Sequence, residues 1–343
     1  MSRLMDIRAI CIASVVLQTI IFGSGSAITK LAYESISPLW CMALRFGLAA
    51  LVFAVLFGPR MVRGLKGARL SDWLPAALCM AVSYLSCNIA LDLTTATNVG
   101  FLMALPVVFT PILAAIVLRR RYRLVHLPFQ AAVVVGLYLL CSSGGSFTFG
   151  LGEFCGLLTA VSLAGALVFG ERGLARMDVV TVSGTQIFVT FIASLAGALL
   201  FDQPLNVAAV QPIAWGTVVF LAIASTCLTF ALQNMALTRL PSATVSMLLT
   251  GEPIFTALFS WGILGETLTA VGLAGAALII VCVIAETWID GRAEAAARGG
   301  EEAAALAAPA LEPLSALADA TTSASLTVPH LTPSQPQRAY ERP

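Results

Sequence analysis

Glu252 is the residue with the most chemical potential, because apolar side chains flank it in SMLLTGEPIFTALFSWG. A charged side chain at the centre of a membrane helix costs about 2.5–3.5 kcal/mol by insertion scales. Three readings fit a carboxyl there. It pairs with a basic side chain, it hydrogen-bonds to backbone freed by Pro253, or it binds and releases a proton. Arg45, several residues into an apolar stretch, reads as a contact for a substrate carboxylate or phosphate. The alternative is a snorkelling anchor or a structural pair with Glu34. Tyr84 and Asn88 are four apart and share a helix face; Thr229 and Gln233 do the same, with Asn234 beside them. Amides left in lipid would be unsatisfied, so these groups face other helices or a wet cavity. Pro106 and Pro253 each remove a backbone donor from an apolar run. Gln186 is similarly placed within another run.

These residue types do not assemble into an enzyme. Aspartyl chemistry needs two close carboxylates, and in the first half Asp92 alone borders the apolar core. The chain has only two histidines, His126 and His330, and no His-Glu-x-x-His pair. No glycine-rich phosphate loop is present, so nucleotide-driven transport by this chain alone has no support. The eight cysteines lie within apolar runs without a Cys-x-x-Cys pair, and read as small hydrophobic side chains. No cofactor, no metal and no nucleic-acid partner is expected.

The elements that position these groups are membrane helices. Hydrophobic residues make up 59% of the 343 and charged residues 11%, against roughly 25% charged in globular domains. Apolar runs long enough to cross a bilayer recur along the chain. They predict ten spans: 10–30, 39–57, 73–91, 98–118, 126–143, 153–170, 180–200, 213–234, 242–264 and 267–289. Glu252-Pro253 falls near the middle of the ninth. The first run is long for a signal peptide and is read as a retained helix. Basic residues gather in the even-numbered loops: Arg60, Arg63, Lys66 and Arg69; Arg119, Arg120, Arg121 and Arg123; Arg172 and Arg176; Arg239. By the positive-inside rule those loops and both termini face the cytoplasm, as in a bacterial inner membrane protein.

The chain also repeats itself. Asn88-Ile89-Ala90-Leu91 matches Asn234-Met235-Ala236-Leu237, Ala96-Thr97 matches Ala243-Thr244, and Pro106 matches Pro253, at an offset of about 147 residues. Five spans per copy is an odd number, so the second copy enters the membrane from the opposite side. The expected fold is therefore an all-α membrane protein of ten transmembrane helices in two inverted five-helix repeats, 10–143 and 153–289. A cytoplasmic N-terminus (1–9) precedes them. The Ala-, Pro-, Ser- and Glu-rich stretch 290–343 reads as a disordered cytoplasmic tail. Proline-interrupted helices at matching places in two halves point to a substrate site. That reading assigns Arg45, Tyr84, Asn88, Pro106, Gln233, Asn234 and Pro253 to substrate binding or the cavity lining, with Glu252 as the candidate for proton coupling.

FGSGSAITK with Lys30, then Ser37-Pro38 and Arg45-Phe46, resembles the first two helices of an EamA-type permease of the drug/metabolite transporter superfamily. LLTGEPIFTALFSWGILGETLTAVGLAGAALIIV is similar to that family's most characteristic stretch. The likeness runs over roughly 10–289. Phe22 stands where the family often has Trp, and Arg119-Arg120-Arg121 replaces the Gly-Glu found at Gly265-Glu266. The resemblance implies a secondary transporter that exports or exchanges a small metabolite through a central cavity. With one intramembrane arginine and otherwise amides and hydroxyls, an amino acid fits better than a nucleotide sugar or sugar phosphate. A non-transporting scaffold or sensor is the remaining alternative, and the duplicated, inverted repeat is what transport explains and scaffolding does not require.

Overall fold

The computed structural model describes residues 2–93, 99, 102–119, 126–141, 150–264, 269–286 and 288–289. The expectations for 290–343, for Ala96-Thr97, for Arg120 to Arg123 and for Gly265-Glu266 lie outside them. Among the described residues every regular element is a helix, as a bilayer requires of a chain that must satisfy its own backbone. Seven helices are long and apolar enough to cross a membrane. They belong to α1 (Ser2–Tyr33), α2 (Pro38–Lys66), α3 (Leu70–Leu93), α6 (Leu151–Leu174), α7 (Val179–Phe201), α8 (Pro212–Leu237) and α9, which begins at Ser242. Three shorter apolar helices are also found among the described residues: α4 (Leu102–Val117), α5 (Leu127–Cys141) and α10 (Ala270–Glu286). The chain is an all-α integral membrane protein.

Its surface and interior are distributed accordingly. Val55, Leu199, Leu200 and Phe201 are exposed on the outside, where lipid would meet them. Inside lie Gln18, Gln186, Gln233, Asn234, Thr226 and Ser183, all buried. Small residues let the helices approach. A Cβ at Gly23 on α1 would stand 2.6 Å from the Cβ of Phe255, and one at Gly173 on α6 would stand 2.3 Å from the Asp72 carbonyl oxygen of α3.

Among the described residues three helices are irregular, two of them at a proline. The span expected at 242–264 is not one continuous helix. It runs Ser242–Leu249, breaks at Thr250-Gly251 and restarts as Glu252–Leu264. Pro253 has no N–H to offer the Leu249 carbonyl, and Gly251 is a poor helix former. The turn closes through Thr250 N–H to Met247 O (3.2 Å) and Gly251 N–H to Leu248 O (3.2 Å). Glu252 is thus the first residue of a half-helix rather than a mid-helix residue. In α4 the chain turns at Leu105, whose N–H reaches Leu102 O (3.1 Å), and resumes at Pro106. The third is a π-helical segment, Ile223–Leu228, within α8.

The packing is paired. α3 lies along α6 as α8 lies along α1; α4 meets α6 as α9 meets α1; α2 runs against α7. α5 and α10 meet through Val133, Leu137, Ile279 and Cys282, and through His126 Nδ1 against Glu286 Oε1 at 3.0 Å. The described cysteines Cys11, Cys41, Cys79, Cys87, Cys155, Cys227 and Cys282 are free thiols, and four of them are buried.

Candidate functional site

Arg45 is carried by α2, whose start is set by Ser37 as the N-cap and Pro38 in the first turn. Two turns into the helix its guanidinium leaves α2 and crosses to α8. It does not pair with Glu34, which is exposed. Nε donates to Thr226 Oγ1 (2.7 Å), and Nη2 donates to the Ser225 carbonyl (2.5 Å) and to Ser225 Oγ (3.2 Å). The guanidinium carbon lies 5.4 Å from the Phe46 ring centre and 5.3 Å from that of Tyr84. Arg45 is therefore fastened along one edge and flanked by rings, a favourable setting for a cation that is partly out of water.

Tyr84 comes from α3 and packs edge-on against Phe46 at 5.0 Å and beside Phe230 of α8 at 5.8 Å. Glu252 approaches from α9. It interacts electrostatically with Arg45, Tyr84 and Cys87, yet among the described residues it makes neither a hydrogen bond nor an ion pair. As the first residue of its half-helix it also meets the positive end of the helix dipole, which favours a negative side chain. The fold so brings Arg45, Tyr84 and Glu252 near one another, with Arg45 bound to Ser225 and Thr226 and not ion-paired to Glu252.

The amides are used differently. Tyr33 donates to Asn88 Oδ1, and Asn88 Nδ2 donates to the Tyr84 carbonyl (2.8 Å), so Asn88 ties α1 to α3. Asn234 is fully buried and donates to Ser183 Oγ (2.9 Å) and Gln186 Oε1 (2.8 Å) of α7. Gln233 accepts from Gln18 of α1 (2.8 Å). Seven residues separate Thr226 from Gln233, about 10 Å along a helix. The amide cluster is therefore a layer apart from Arg45, and it joins α1, α7 and α8. Pro106 and Pro253 are both buried beside their helix breaks. An apolar groove of about 330 Å³ between α2, α7 and α8, lined by Trp40, Gly47, Phe191 and Trp215, contains no charged group. Its chemistry is that of a lipid-facing cleft.

Sequence reasoning missed Ser225, Thr226 and Gln18. The adjacent hydroxyls in IASTCLTF and the lone amide of the first span were the available signals. Neither spacing nor type announces that the backbone between them is π-helical.

Comparison with known proteins gives the setting. The profile of the EamA-like transporter family matches twice, over residues 9–142 and 150–285. An uncharacterised transporter of Archaeoglobus fulgidus is 28% identical over 273 residues, covering 78% of this chain and 82% of that one. The threonine/homoserine exporter RhtA of Escherichia coli K12 is 29% identical over 266 residues, covering 77% and 86%. A solved crystal structure superposes with a TM-score of 0.70 at 19% identity, over 82% of this chain and 97% of that chain, and shows the same fold. With both halves matched, this chain belongs to the EamA-like transporter family, and it is a membrane transporter for a small molecule.

Proposed function

We propose that this transporter exports an amino acid or a similar small zwitterion by alternating access. The observation that carries the reading is that Arg45 of the first half and Glu252 of the second lie within electrostatic reach of each other without forming an ion pair. A guanidinium suits a carboxylate, and a carboxylate suits an ammonium. A solute bearing both groups would satisfy both ends at once. The similarity to an exporter of threonine and homoserine supports the same class.

Alternating access rests on the inverted-repeat reading. Ten spans divide into 10–143 and 153–289, with even-numbered loops and both termini cytoplasmic. The paired packing, α3 on α6 as α8 on α1, is what such a repeat would produce. Breaks at Pro106 in α4 and before Pro253 in α9 fall at corresponding places. Glu252 then has two partners in the cycle. It holds the substrate ammonium in one state and a proton in the other. Exchange of one neutral zwitterion for one proton moves one net charge per turnover.

A solute screen in proteoliposomes, with and without an imposed pH gradient, tests the reading. L-Threonine, L-homoserine and other neutral amino acids should be taken up by counterflow, and decarboxylated or deaminated analogues should not. Transport of amines and acids as well as of the zwitterions would refute the two-ended site.

A further inference from the structure

The π-helical segment of α8 has a feature that the transporter reading does not use. In a regular α-helix the Thr229 N–H would bond the Ser225 carbonyl; here it bonds Thr226 O instead. Ser225 is buried, and its carbonyl does not receive that donor. Arg45 Nη2 occupies it at 2.5 Å and adds Ser225 Oγ at 3.2 Å. One residue on, Thr226 Oγ1 donates to the Leu221 carbonyl (2.9 Å), five residues back, so its lone pairs turn outward and accept from Arg45 Nε (2.7 Å). Two consecutive residues thus present three acceptors to one edge of the guanidinium. The irregular backbone supplies one of them and the hydroxyls supply two. π segments within α-helices are frequent at functional sites.

Resting on the transport reading, we infer that Ser225 and Thr226 are positioning residues that set the selectivity of Arg45 for a carboxylate. Held along its Nε–Nη2 edge, the guanidinium is restrained, and its Nη1 nitrogen, which bonds neither Ser225 nor Thr226, is the end left for a ligand beside the Tyr84 side chain. Recognition of a carboxylate by arginine depends on the angle of its donors as much as on its charge. Loss of the mount leaves the charge in place and takes away the angle. Discrimination between a carboxylate and a carboxamide of the same shape should therefore fall, while turnover is spared. The mount also spans the two halves, α2 to α8, so it forms only where these helices are packed as here.

The test compares L-threonine with L-threoninamide in proteoliposomes of wild type, Thr226→Val, Thr226→Ser and Ser225→Ala. Valine matches threonine in shape and lacks the hydroxyl; serine keeps it. Thr226→Val should raise the half-saturation concentration for threonine about tenfold, the size of one lost charge-assisted hydrogen bond. Its maximal rate should change little, and its preference for the acid over the amide should shrink by a similar factor. Thr226→Ser should restore both. Should Thr226→Val fail to reach the membrane, Ser225→Ala carries the test, with a smaller shift in the same direction. Wild-type half-saturation and selectivity in a folded Thr226→Val, or failure of Thr226→Ser to rescue, overturns the inference and leaves the transport reading intact. A wild-type protein that moves neither probe overturns the transport reading and this inference together.

Discussion

Replacement of Glu252 by glutamine separates the two tasks proposed for it. The side chain keeps its size and one carbonyl oxygen, and it loses the charge and the proton. Among the described residues Glu252 makes no ion pair or hydrogen bond, so the change breaks none. Folding should therefore be spared, and removing a charge from mid-membrane should if anything favour insertion. Substrate binding should weaken by the difference between a charged and a neutral acceptor for an ammonium. A charge-assisted hydrogen bond is worth about 1.5–3 kcal/mol, and a neutral one about 1, so the net loss is about 0.5–2 kcal/mol. That corresponds to roughly two- to thirtyfold in half-saturation. Coupling should be lost outright. One proton exchanged per solute lets a pH gradient of one unit sustain a roughly tenfold solute gradient, since one unit is about 1.36 kcal/mol. In Glu252→Gln that gradient should disappear while counterflow exchange persists. The assay is uptake of labelled threonine by proteoliposomes at several imposed pH gradients, with counterflow as the control. A wild-type response to the gradient in the glutamine variant would refute proton exchange at this residue.

Other outcomes follow from the helix ends and contacts. In a background without the eight native cysteines, Asn206→Cys should react with an impermeant maleimide on intact cells and Lys66→Cys should not; the reverse pattern would overturn the assigned orientation. Asp178 caps α7 through Val180 N–H (3.0 Å) and Thr181 N–H (3.2 Å) and lies 3.3 Å from Arg60. Partial burial pushes its carboxyl up, but hydrogen bonds from Thr181 and Val180 and the Arg60 charge outweigh it and hold it below the usual value. A depressed carboxyl stabilises the fold above its unfolded value and ceases to do so as pH falls through the folded one. Asp178→Ala should therefore lower thermal stability by about 1 kcal/mol at neutral pH, and the difference should fade below about pH 4; an unchanged gap at low pH would contradict the charge contribution. Gly23→Ala places a methyl 2.6 Å from the Phe255 Cβ and should destabilise the α1–α9 contact by about 1–3 kcal/mol, read as a lower melting temperature in detergent.

Composition, apolar run length and loop arginines made the membrane helices readable without coordinates. A bilayer imposes one length and one polarity on every span, so each leaves a local signal. Arg45, Tyr84 and Glu252 stood out for the same reason, as ionisable or polar groups in apolar runs. Pro106 and Pro253 were visible as interruptions, because a missing N–H is a property of the residue itself. Packing alone decided the partners. By sequence Arg45 could meet a substrate, snorkel or pair with Glu34; the fold sets it against Ser225 and Thr226, some 180 positions away, and not against Glu34. Asn88 and Asn234 match in sequence, but α1 meets the first and α7 the second, so they bond to tyrosine and to glutamine and serine respectively. The π segment left no mark in IASTCLTF. Hydrophobic length is written residue by residue along the chain. A hydrogen-bond partner exists only when two helices arrive at the same place, and the tertiary structure alone determines that arrival.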